Sequence, residues 1–202
     1  MRRFDKSAPL NDAPAVRIAI IGTSGSGKST LAKRLGSVLG HAVIELDAVN
    51  WQADWTDLNT HDPPEFVRRV EAAIEKSSWI TDGNYSRVLP LILRRASDVI
   101  WLDYARSVVM SRVLRRSLSR SLSGRELWPD TGNRERWRRW LSKEHPIRWA
   151  WDTFEHRRVR YEEAFADRRL SHLTVHRLRR PAEVPPLVLT LQNRSGAPIL
   201  RQ

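Results

Sequence analysis

The sequence predicts an α/β protein: five parallel strands in one sheet, with helices packed on both faces. Three observations predict it. Short β-branched runs alternate with segments of helical period along the 202 residues. The spacing between runs leaves room for crossover helices, which parallel pairing requires. A glycine-rich segment stands between the first run and the first helix, where an α/β sheet binds anions.

Taken in order, residues 16–21 (VRIAII) form the first strand, a continuous apolar run suited to a sheet covered on both faces. Residues 29–39 form a helix with Leu31, Leu35, Val38 and Leu39 on one side, and Gly40 stops it. Residues 42–46 form the second strand, which ends at Asp47. Asp62 caps a helix opened by Pro63 and Pro64, with Phe66, Val67, Val70 and Ile74 along it. Residues 79–81 form the third strand and deliver Asp82-Gly83-Asn84. A helix over 86–96 leads to the fourth strand, 99–102, and a helix over 105–118 follows. The polar stretch 119–133 reads as a connection. Helices over 134–143 and 147–165 are separated near Pro146, and residues 172–176 form the fifth strand. An apolar run, 187–191, precedes a fraying tail.

The glycine-rich segment, Gly22-Thr23-Ser24-Gly25-Ser26-Gly27-Lys28-Ser29, matches the pattern G-x-x-x-x-G-K-[ST]. A loop whose backbone N–H groups converge on phosphate must bend where side chains would collide, and glycine permits those bends. Lys28 reaches the β- and γ-phosphates, and the Ser29 hydroxyl ligates Mg²⁺. Thr30 completes the nucleotide-binding set at the helix start. A strand before and a helix after are the context this motif needs, so the fold class is a P-loop NTPase three-layer fold binding ATP and Mg²⁺.

No proline-, glycine- or serine-rich linker divides the chain, which reads as one domain. Its core covers about 15–118 and 166–191, a helical, arginine-rich lid covers about 119–165, and the ends 1–14 and 192–202 are expected to be flexible. Neither a signal peptide nor a membrane span is expected, and the absence of cysteine excludes disulfides and thiolate metal sites. The histidines show no metal-ligand spacing. A cytoplasmic location is expected. Lys and Arg outnumber Asp and Glu 35 to 23, a net charge of +12. Residues 104–169 hold 17 basic and 9 acidic side chains, two thirds of that excess. Such a field suits an arginine-lined phosphate site, a solvated basic face or nucleic acid.

Together, GTSGSGKSTLAKRLG, IELDAVNW, WITDGNYSRV, ASDVIWLDYARSVVMSRVLRR and HPIRWAW resemble the nucleoside-monophosphate-kinase-like group of small P-loop kinases. Within it they are similar to adenylate-kinase-related proteins labelled "topology modulation protein". The resemblance implies a lid over the triphosphate and ATP-dependent phosphoryl transfer to a nucleoside monophosphate or related small acceptor. It implies that Asp82 helps hold Mg²⁺, and that Arg112 and Arg116, four apart on one helix face, contact nucleotide and phosphates. Arg87, one position late against the adenylate-kinase motif, is the counterpart of an acceptor-phosphate ligand. Arg125 is a lid candidate for the cation on the transferring group, as are Arg134, Arg136 and Arg138.

The acceptor side departs from adenylate kinases. Asp47 after the second strand looks more like shikimate-kinase-type enzymes, whose acceptor is a hydroxyl. A hydroxyl benefits from a carboxylate that takes its proton, whereas a phosphate oxygen is already ionised. Trp51 and Trp55 either stack on an acceptor or pack in the core. Trp137, Trp140, Trp149 and Trp151 read as lid packing. The alternative reading is a regulatory ATPase whose arginine-rich region binds nucleic acid; no membrane partner is expected, and the oligomeric state is undetermined by sequence.

Overall fold

Side chains alternate across the strands, so each strand contributes to two separate apolar layers. The computed structural model describes residues 15–123, 127–128, 131–133 and 146–196. Strands β1 (Arg17–Gly22), β2 (Val43–Glu45), β3 (Trp79–Asp82), β4 (Asp98–Leu102) and β5 (Thr174–Leu178) form one parallel sheet, in the order β2-β3-β1-β4-β5. Ile18, Ile20, Ile80 and Ile100 face one layer, with α1 (Lys28–Leu39), α6 (Arg106–Ser123) and α9 (Val184–Ser195) packed over them. Ala19, Ile21, Trp79, Val99 and Trp101 face the other, beneath α4 (Pro63–Ile74), α5 (Leu89–Arg95) and α8 (Phe154–Phe165). The short helices α2 (Leu46–Asn50) and α3 (Leu58–His61) follow β2, and α7 (Pro146–Asp152) precedes α8. This is the three-layer α/β arrangement expected from the strand–helix alternation.

Local signals set the boundaries. The Asp62 carboxylate accepts the Glu65 N–H at 3.2 Å, and Pro63 opens α4 behind it. The second strand stops at Glu45; Leu46 is fully buried, and Asp47 lies in the first turn of α2, not at a strand end. The fifth strand lies two residues beyond its expected position, because its pairing with β4 runs from Asp98 opposite Thr174 to Leu102 opposite Leu178. Thr174 and Val175 of this edge strand are exposed, which blurs its apolar pattern. The chain expected to fray from 192 continues in α9 to Ser195, with Gln192 buried and Gly196 at φ +66° closing the helix. Phe154 and Tyr161 of α8, within the region expected to be lid, are buried in the two core layers. Among the described residues no helix is long and apolar enough to cross a membrane.

Candidate active site

The carboxyl edge of the sheet, where ligands bind on parallel α/β sheets, gathers most of the expected residues. Between β1 and α1 the loop turns through Gly22, Gly25 and Gly27, all at positive φ. Gly25 is there for space as well as conformation: a Cβ would stand 2.1 Å from Val113 Cγ2 on α6. The Ser26 N–H closes a turn on the Thr23 carbonyl at 3.1 Å. No side chain caps the first turn of α1, whose amides and dipole suit an anion. Ser29 and Thr30 are exposed in that turn.

Helix α6 braces the loop from above. Arg112 Nη1 donates to the Ser26 carbonyl at 3.0 Å, and Arg116 Nη2 donates to Ser24 Oγ at 3.1 Å. Arg112 also lies over the Tyr104 ring. Both arginines on the expected helix face thus meet the loop. Lys28 Nζ donates to the Thr23 carbonyl at 3.3 Å. Burial pushes the Lys28 ammonium below its ordinary range, against the opposing pull of Asp82 and Asp47. Asp82, the last residue of β3, is buried. Burial raises its carboxyl above the ordinary range, while Lys28 and a hydrogen bond from Ser29 oppose the rise. Ser29 Oγ and the Asp82 carboxylate are hard oxygen donors brought together, a pair whose chemistry fits Mg²⁺.

Asp47 stands on the same edge. Its exposed carboxylate accepts a hydrogen bond from the Tyr85 hydroxyl at 2.7 Å. Gly83, at φ +134°, permits this approach: a Cβ there would lie 2.8 Å from Leu46 Cβ, the residue before Asp47. Behind it, Trp51, Trp55 and Trp128 pack on one another, with Trp51 edge-on to Trp55 at 5.7 Å and stacked on Trp128 at 6.1 Å. The Trp51 ring therefore already has aromatic neighbours. Asp54 and Trp55 adopt left-handed backbone, and Asn133 pins them by accepting the Trp55 N–H and donating to the Gln52 carbonyl, both at 2.9 Å. Arg87 is exposed and donates to Asn59 at 3.3 Å. Arg125, Arg134, Arg136 and Arg138 lie outside the described residues, as do Trp137 and Trp140.

Sequence reading missed four residues here. Arg157 on α8 lies close enough to Lys28, Asp47 and Tyr85 to interact electrostatically with each, and burial lowers its guanidinium from the ordinary range. One turn along α8, the buried Tyr161 hydroxyl accepts from Asn84 Nδ2 at 2.7 Å. Tyr85 and Asn84 follow Gly83 directly. No spacing marks Arg157 within Arg157-Arg158-Val159-Arg160; only the packing of α8 separates its arginines. Arg158 turns instead to Asp103 at 3.0 Å, and Arg177 pairs with both Asp103 and Glu162.

A phosphate loop on a five-stranded parallel sheet, braced by helical arginines, defines a P-loop kinase fold. No family model matches the chain. It is 30% identical over 125 residues to a shikimate kinase from Synechococcus sp. (strain RCC307), an alignment spanning 56% of this chain and 64% of that protein. The aligned part is thus less than two thirds of that relative. Among solved structures, the fold is similar to shikimate kinase from Acinetobacter baumannii in complex with shikimate: TM-score 0.53, 16% identity, 88% of this chain and 92% of that one. Shikimate kinase from Aquifex aeolicus gives a TM-score of 0.53 at 18% identity, covering 88% and 97%. A gluconokinase from Sinorhizobium meliloti 1021 gives 0.50 at 16%, covering 90% and 93%. At these identities the structures establish the shared fold.

Proposed function

We propose that this chain is a phosphotransferase that moves the γ-phosphoryl group of ATP to a hydroxyl of a small polar acceptor, within the topology-modulation-protein type its motifs resemble. One observation carries the reading: the Asp47 carboxylate shares the carboxyl edge with Lys28 and Asp82, and interacts with Lys28 and Arg157. The loop amides and Lys28 hold the triphosphate, and Arg112 and Arg116 approach it from α6. Ser29 and Asp82 would hold Mg²⁺, which would supply neutralising charge to the triphosphate. Arg116 serves as stabilising cation beside the transferring group, a role also assigned to Arg125 from the resemblance.

Asp47 takes the acceptor's hydroxyl proton as the new bond from that oxygen to the γ-phosphorus forms. The bond from the γ-phosphorus to the bridging oxygen breaks, and ADP leaves with the electron pair. Arg157 supplies fixed positive charge on the acceptor side, where it suits an anionic group of the acceptor. A nucleoside monophosphate attacks through an ionised phosphate oxygen and leaves Asp47 without a task, so the hydroxyl acceptor is favoured. The relatives, named for shikimate and gluconate, support that choice.

Asp47→Asn tests it. With hydroxylated acceptors, turnover is expected to fall by about 10² to 10⁴, the usual contribution of a positioned general base. Equal loss with a nucleoside monophosphate, or no loss with any acceptor, contradicts the base role.

A further inference from the structure

Two side chains after Gly83 make hydrogen bonds that packing alone does not require. The Tyr85 ring rests edge-on against Phe66 of α4 at 5.0 Å, which satisfies its apolar part. Its hydroxyl extends past that contact to the Asp47 carboxylate at 2.7 Å. These residues lie 38 apart in sequence, on the β3–α5 connection and on α2. Asn84 reaches the other way, to Tyr161 on α8, one helical turn from Arg157. The Tyr161 ring is likewise fixed separately, edge-on to Trp101 at 5.6 Å. One short connection thus holds the carboxylate and the helix carrying the arginine, while Asp82 before it faces Lys28.

We infer that Tyr85 is a positioning residue for the acceptor step: its hydroxyl holds the Asp47 carboxylate in the orientation that receives the acceptor's proton, and Asn84 anchors α8 so that Arg157 faces the same place. An exposed carboxylate on a five-residue helix rotates through several rotamers unless something fixes it. A charge-assisted hydrogen bond from a ring already locked by packing fixes one oxygen and turns the other outward. The inference rests on the kinase reading above.

A double-mutant cycle tests it, because Tyr85→Phe keeps the ring and removes only the hydroxyl. With the acceptor identified by product analysis, Tyr85→Phe is expected to lower kcat about 10- to 100-fold, a magnitude typical of misplaced reacting groups. The KM for Mg-ATP and the melting temperature stay at wild-type values. In an Asp47→Asn background the same change has no further effect, since Tyr85 acts through Asp47. Asn84→Ala is the second arm, and raises the KM for the acceptor with little change in that for Mg-ATP. Additive losses in the cycle, or parallel weakening of Mg-ATP, overturn the positioning role while leaving the kinase reading intact. A wild-type protein that phosphorylates no acceptor overturns the kinase reading itself, and the inference falls with it.

Discussion

Two buried aspartates stand at opposite edges of the sheet, Asp82 at the end of β3 and Asp98 at the start of β4. Asp98 is 1% exposed. Burial opposes its ionisation, but His176 at 2.9 Å, Ser97 at 2.8 Å and Arg194 at 2.5 Å all bond its carboxylate and hold it at about 2. Its partners come from β5, α9 and the neighbouring residue, so the charge stitches three elements together. Asp82 is buried to a similar extent and shifts the other way, because Lys28 and Ser29 offset only part of the desolvation. Internal satisfaction is what a structural carboxylate shows; a carboxylate left raised at the carboxyl edge, beside the half-buried Lys28, is the candidate for chemistry. A cavity of about 300 Å³ borders Asp98, lined also by His172, Thr174 and Arg194, away from the phosphate loop.

This contrast is breakable by substitution. Lys28→Ala removes the cation facing Asp82 and the phosphates, and is expected to lower kcat by about 10³ with the fold intact, measured by turnover and circular dichroism. Asp82→Asn comes next, with a loss of about 10² and a higher Mg²⁺ requirement, read from a Mg²⁺ titration of the rate. Its melting temperature stays level or rises: a raised folded pKa means that ionised Asp82 costs stability as pH rises above the unfolded value. Asp98→Asn has the smallest effect on turnover, within about 2-fold, yet lowers stability by about 2 kcal/mol at neutral pH. That contribution is present above the ordinary aspartate pKa near 3.8 and disappears as pH falls towards 2. Denaturant unfolding from pH 6 to pH 2.5 therefore shows wild type and Asp98→Asn converging at the acid end. If Asp82→Asn is the destabilised variant and Asp98→Asn the inactive one, the assignment of the two edges is reversed.

The difference between the edges also explains what the sequence could show. The glycine-rich loop is legible because a loop that binds anions through backbone amides requires glycine at fixed spacing, here next to Lys28 and Ser29. Asp82 and Asp47 are legible as residues at strand ends, although Asp47 lies in the first turn of α2. Sheet and flanking helices follow from apolar period; α9 and the shifted fifth strand did not, because an edge strand and a proline-led terminal helix carry weak patterns. The proposed acceptor side joins side chains 38 and 77 residues apart, Tyr85 with Asp47 and Asn84 with Tyr161. No local pattern encodes such meetings. Arg157 is one arginine among several on its helix, distinguished only by where α8 is packed.

The most direct measurement is product analysis with Mg-ATP and a panel of hydroxylated carboxylates, sugars, nucleosides and nucleoside monophosphates, with Lys28→Ala in parallel. A phosphate ester of a hydroxylated acceptor, formed with one ADP per product by the wild type and not by Lys28→Ala, is the predicted result. ADP release with no phosphorylated acceptor anywhere in the panel, or equal product from both proteins, would contradict it.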